Sequence, residues 1–118
     1  MTFDIIGLCR DEPGAEETIE ALLVAGPELL VAEQAEDGVT QLHRPDGRPL
    51  VVIEDIRLVR VAGEARRLLG FDARIEVPHP VWWVECRARD DDPEAETVAR
   101  AFIGALVERT GGLSWSNR

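Results

Sequence analysis

The chain has no lysine and no tyrosine, and its only serines, Ser114 and Ser116, sit at the C-terminal end. Serine-based nucleophilic catalysis is therefore close to excluded. No Gly-x-Gly-x-x-Gly, Walker loop, His-Glu-x-x-His or Gly-x-Ser-x-Gly pattern occurs, so the common nucleotide, zinc-protease and hydrolase signatures are absent. No apolar run approaches the roughly 20 residues that span a bilayer. The opening residues, MTFDIIGLCRDEPG, have no basic n-region and carry Asp4 inside the apolar run, which argues against an export signal. Cysteine occurs only at Cys9 and Cys86, and without an export signal these read as reduced thiols of a cytoplasmic protein.

What is present is an ordinary globular composition: 118 residues, 45% apolar and 31% charged, the size of one domain able to bury a core without disulfides or metal. All thirteen basic side chains are arginine, scattered as in a protein from a GC-rich genome rather than clustered for bidentate contacts. The net charge of −10 is uneven. Residues 1–37 hold Asp4, Asp11, Glu12, Glu16, Glu17, Glu20, Glu28, Glu33, Glu36 and Asp37 against Arg10 alone, while the remainder is close to neutral. Binding to nucleic-acid phosphates or to an anionic membrane is thereby disfavoured, whereas a basic protein partner suits the acidic first third.

Periodicity and punctuation place the elements. Residues 2–8, TFDIIGL, read as a strand. A helix follows from Pro13 to about residue 25, with Ala15, Ile19, Leu22 and Leu23 expected on its buried face and Gly26 at a left-handed C-terminal position. Residues 28–34, 39–44 and 49–54 form an antiparallel three-strand meander through turns at Glu36-Asp37-Gly38 and Pro45-Asp46-Gly47. Residues 56–61 continue extended, and a short helix at 62–69 ends on Gly70. The alternating run 81–88, VWWVECRA, is a strand whose core face is Trp82, Val84, Cys86 and Ala88. Asp92 caps a helix opened by Pro93, with Ala95, Val98, Phe102, Ala105 and Leu106 as its buried stripe, widened by Ile103 and Val107. Gly111-Gly112 stops that helix, and Leu113-Ser114-Trp115 suits a short edge strand. The order β-α-β-β-β-α-β-α implies a single α+β domain: an antiparallel sheet of five to six strands with two main helices packed on one face.

Chemistry-bearing residues are few. Cys9, His43, His79 and Cys86 lack the short ligand spacing of structural zinc sites, and Asp90-Asp91-Asp92 reads as a turn ending in a helix cap, so no metal or other cofactor is expected. His79, Trp83 and Cys86 could line a pocket between the sheet and the C-terminal helix, serving a small ligand or a minor enzyme. Glu12, Glu16, Glu17 and Glu20 sit together on the first helix, either as a solvated face or as a docking face for a basic partner. Trp83 falls on the more polar face of its strand. Either it is exposed and suited to an interface, or a helix or the Leu113–Trp115 segment covers it, or Trp82 is the exposed one.

The segments AGPELLV, QLHRPDGRPLVVIEDIRLV, AGEARRLLG and PVWWVECRA, with Gly47-Arg48-Pro49-Leu50 and Pro80-Val81-Trp82-Trp83 the most specific, resemble a family of uncharacterised actinobacterial proteins encoded near type VII secretion genes. The resemblance spans roughly residues 3 to 115 and implies a secretion-associated setting, with no catalytic residues to carry over. The element order is also similar to that of small acidic type III secretion chaperones, which wrap a partner segment as dimers, a likeness of fold alone. The reading that follows is a non-enzymatic protein-interaction or chaperone-like module, with homodimerisation through a sheet edge a further expectation. The alternatives are the small-ligand pocket above and an acidic immunity or nucleic-acid-mimic protein.

Overall fold

Ten elements alternate through the computed structural model, which describes residues 2–34, 39–61, 63–72 and 74–118. The turn expected at Glu36-Asp37-Gly38 and the first residue of the expected 62–69 helix lie outside them. In chain order the elements are β1 (Thr2–Cys9), α1 (Ala15–Ala25), β2 (Leu30–Gln34), β3 (Val39–His43), β4 (Pro49–Ile53), β5 (Arg57–Val59), α2 (Glu64–Leu69), β6 (Val81–Arg89), α3 (Pro93–Thr110) and β7 (Gly112–Ser116). The fold is α+β, with one antiparallel sheet in the order β2-β3-β4-β6-β1-β7 and β5 paired to β6 beyond the end of β4. The strand count is seven rather than five to six, because residues 57–59 pair fully and the Leu113–Trp115 run extends into a five-residue edge strand.

β6 organises the sheet. One edge pairs with β1 along its whole length, from Thr2↔Arg89 to Cys9↔Trp82. The other edge takes β4 at Val51↔Ala88 to Ile53↔Cys86, then β5 at Arg57↔Trp83 to Val59↔Val81. Between these ladders Glu54, Asp55 and Ile56 face only Val84 and Glu85, so one residue is extra and the strand kinks as at a β-bulge. The Glu54 N–H still donates to the Glu85 carbonyl at 2.9 Å, which keeps the two ladders in one sheet.

α3 covers one face of the sheet. Its buried stripe is Ala95, Val98, Ala99, Phe102, Ile103, Ala105 and Leu106, packed on Phe3, Ile5, Val84, Cys86 and Ala88. Burying a side chain such as Phe102 contributes about 3 kcal/mol. The Asp92 carboxylate accepts from the Glu94 and Ala95 N–H groups at 3.1 and 3.2 Å, satisfying donors that the helix start would otherwise leave open. α1 lies against α3 and meets the sheet only lightly.

The other face carries a second, smaller core. Ile6, Leu8, Val81 and Trp83 meet Ala65 of α2, with Leu69, Phe71, Val77, Leu113 and Trp115 packed around them. Trp83 is therefore 7% exposed rather than presented to solvent, covered by α2 and β7. The physical reason is that a strand with both neighbours paired and a helix folded back on each side has no solvated face over its first half.

Three further expectations are corrected in α1. The helix starts at Ala15 after Gly14 rather than at Pro13, and Gly26 is extended (φ 168°), not left-handed. The side turned to α3 and the sheet is Thr18, Ala21, Leu22 and Ala25 at helical spacing, with only Ala21 fully buried. Ile19, Leu23 and Val24 face outward at 56%, 57% and 55% exposure.

Gly112 joins α3 to β7 at φ +124°, and a Cβ there would collide with the Leu8 carbonyl oxygen across the β1–β7 ladder. Replacing it by alanine is expected to cost more than about 2 kcal/mol. Asp92→Ala removes the α3 cap at about 1 kcal/mol, and Gly104→Ala, with open space around it, adds about 0.5–1 kcal/mol of stability. Urea unfolding followed by tryptophan fluorescence should rank the three in that order around the parent protein.

Candidate protein-interaction site

α1 is apolar on more than one side. AEETIEALLVA places aliphatic groups at Ile19, Leu22, Leu23 and Val24, more than the contact with α3 can bury. Of the four acids expected as a docking face, Glu16, Glu17 and Glu20 lie on α1 and Glu12 just before it, and they are not equivalent. Glu20 pairs with Arg109 of α3 at 2.6 Å, a partly exposed contact worth at most about 1 kcal/mol. Glu12 and Glu16 are exposed and Glu17 is half-buried, and none of the three has a cationic partner among the described residues. Ile19 and Leu23, one turn apart, lie on the outward side of α1, with Glu20 three residues before Leu23 reaching across to Arg109.

Past the short connection at 26–29, β2 forms the sheet's outer strand and, among the described residues, pairs only with β3. Its register sets Val31 opposite Leu42, on the helix-covered face, and Leu30 opposite His43, on the other. Both are about half exposed, Leu30 at 48% and Val31 at 49%. An edge strand with open backbone groups and apolar side chains on both faces is a template for another strand. α1 and β2 together thus present Ile19, Leu23, Val24, Leu30 and Val31, beside the unpaired Glu12, Glu16 and Glu17.

A cleft of about 130 Å³ lies beneath, between α1, α3 and the sheet, lined by Thr18, Leu22, Ile53, Val84, Phe102 and Leu106. That is well below the roughly 300 Å³ at which small-molecule sites begin.

The expected pocket of His79, Trp83 and Cys86 does not assemble. Alternation along β6 sends Trp83 to the α2 side and Cys86 to the α3 side. His79 is exposed, on a groove of about 440 Å³ with Arg10, Arg66 and Glu76. Burial pushes the Cys86 thiol far up, with the Glu85 and Glu54 charges adding to it. Burial also raises Cys9, partly offset by a hydrogen bond with Thr110. Neither thiol is poised as a nucleophile. In the Asp90–Asp92 turn, Asp91 meets Arg89 at 3.0 Å, which holds its carboxyl low, and Asp92 caps α3. Among the described residues no group of three or more His, Cys, Asp or Glu converges as a metal site, and no helix is long and apolar enough to cross a membrane.

The apolar flank of α1 was not anticipated, because Ile19 and Leu23 also fit a buried stripe with Leu22. The competing spacing Thr18, Ala21, Leu22, Ala25 was the available signal, and it carries smaller side chains.

Both cysteines are expected to resist Ellman's reagent near pH 8 in the folded protein. Their reaction should be at least about 100-fold slower than in guanidinium, because raised thiol pKa values and burial both suppress the thiolate. Fast reaction of either thiol in the native state would contradict its placement. Compared with known proteins, no family model, no curated protein and no solved structure matches this chain.

Proposed function

We propose that this chain is a non-enzymatic, chaperone-like binding module that takes an apolar, basic segment of a partner protein on the α1–β2 surface. The observation that supports this reading is the free edge of β2, continued onto α1 by outward aliphatic side chains and flanked by unpaired acids. A partner strand added to β2 gains backbone hydrogen bonds, its alternate side chains meet Leu30 and Val31, and its cations face the acids of α1. Electrostatic attraction to residues 1–37 would speed that encounter and disfavour a second copy of this acidic chain as the occupant. The resemblance to proteins encoded near type VII secretion genes makes secretion-associated proteins the first partners to test.

The direct measurement is fluorescence anisotropy with a synthetic peptide alternating valine and arginine, against one alternating valine and glutamate. The arginine peptide is expected to bind, more weakly as salt rises. Glu16→Lys/Glu17→Lys and, separately, Val31→Asp should each weaken it at least about tenfold. Equal binding of both peptides, no binding, or indifference to these variants overturns the reading. Light scattering on the same samples decides the occupant: a stable dimer broken by Val31→Asp would put a second copy in place of the partner segment.

A further inference from the structure

Nine of the thirteen arginines, Arg44, Arg48, Arg67, Arg74, Arg87, Arg89, Arg100, Arg109 and Arg118, each meet a carboxylate. Arg66 donates to the Ile75 carbonyl. Arg10, Arg57 and Arg60 meet no carboxylate among the described residues, in a chain of net charge −10 where carboxylates are in excess, and of these Arg57 and Arg60 stand together. Both line one groove of about 380 Å³ between β5 and α2.

The walls of that groove are apolar. Trp83 pairs directly with Arg57 across the β5–β6 ladder, so the two side chains share a face and stand next to each other. The indole N–H already donates to the Glu85 carboxylate at 3.3 Å. Val61 and Leu68, 65% and 53% exposed, stand on the rim. The one acid in the lining, Glu64, is engaged by Arg67 at 4.0 Å. The volume falls in the range of small-molecule sites, at roughly 300–1,000 Å³. The combination of an aromatic wall, aliphatic rims and two arginines without carboxylates is complementary to one chemical class, since a guanidinium fork matches a carboxylate in plane and in hydrogen-bond spacing.

The geometry points to a binding site for a small organic carboxylate, its apolar body laid along Trp83 and Leu68 and its anionic group held by Arg57 and Arg60. This site is on the opposite side of the sheet from the helix pair and does not depend on the α1–β2 reading. Aryl carboxylates are favoured over inorganic anions because the apolar walls stabilise only the former.

The test is a ¹H–¹⁵N NMR titration of the full chain with 2-naphthoate, and with 2-naphthamide as the neutral analogue of the same shape. 2-Naphthoate is expected to shift the Trp83 indole signal and the amides of β5 and α2, and to bind at least about tenfold more tightly than the amide. Arg57→Gln and Arg60→Gln should each weaken it several-fold and together abolish the preference over the amide, while Arg74→Gln, paired with Asp72 outside the groove, leaves it unchanged. Unshifted amides of β1 and α3, away from the groove, in the ligand-free variants verify that the fold is intact. Equal affinity for the two probes, shifts confined to α1 and β2, no binding, or indifference to Arg57→Gln and Arg60→Gln overturns the proposal.

Discussion

A strand hydrogen-bonded along both edges and covered on both faces over its first half leaves its neighbours little choice of position, and β6 is that strand here. Its full-length pairing with β1 aligns the two chain halves. Its opposite edge is shared by β4 and β5, and the single extra residue between them lets one segment serve both cores. Before the bulge the chain supplies Val51 and Ile53 to the α3 side; after it, Val59 joins Val81 and Trp83 on the α2 side. The helices then occupy what this strand leaves open. α3 takes one face, and the short α2 with Phe71 and Val77 takes part of the other.

That arrangement also accounts for the surfaces. α3 uses its own stripe to cover β1, β4 and β6, so α1 is left to pack mainly on α3 rather than on the sheet. A helix that contacts one neighbour buries a narrow stripe, and α1 carries more aliphatic groups than such a stripe can hold. β2 is likewise at the far end of the sheet from β7, beyond the reach of α3. The apolar exposure of α1 and β2 therefore has one geometric origin, the distance of both from β6. The charge follows a parallel division: the acids Glu12, Glu16 and Glu17, without cationic partners among the described residues, stand on α1 and just before it, while Arg57 and Arg60 stand on β5 and just beyond it, against α2.

The elements most legible beforehand were those with local punctuation. The Asp92-Pro93 start of α3, its buried stripe and its Gly111-Gly112 end depend on caps, helical spacing and turn conformations encoded within a few residues. The meander through Pro45-Asp46-Gly47 was legible for the same reason. Of the docking acids, Glu16, Glu17 and Glu20 lie on α1 while Glu12 precedes it, and Glu20 is partly neutralised by an arginine 89 residues away in sequence. What stayed open or went astray is equally specific. Trp83 was left between an exposed and a covered position because its strand mates Glu85 and Arg87 are polar, and alternation cannot say that α2 and β7 fold over the first half of that face, which makes the covered alternative hold. His79, Trp83 and Cys86 are near in sequence, but a period of two sends the tryptophan and the cysteine to opposite sides.

What the amino-acid order determined by itself is the class of molecule: one acidic α+β domain, its helix ends and turns, and the inward face of α3, because these depend on interactions spanning a few residues. Only the tertiary structure decided which apolar groups stay exposed, which arginines find carboxylates, and that Cys86 and Trp83 belong to different cores. Those outcomes depend on which elements pair with β6 and how much of each face remains, a competition among segments distant in the chain that no local pattern records.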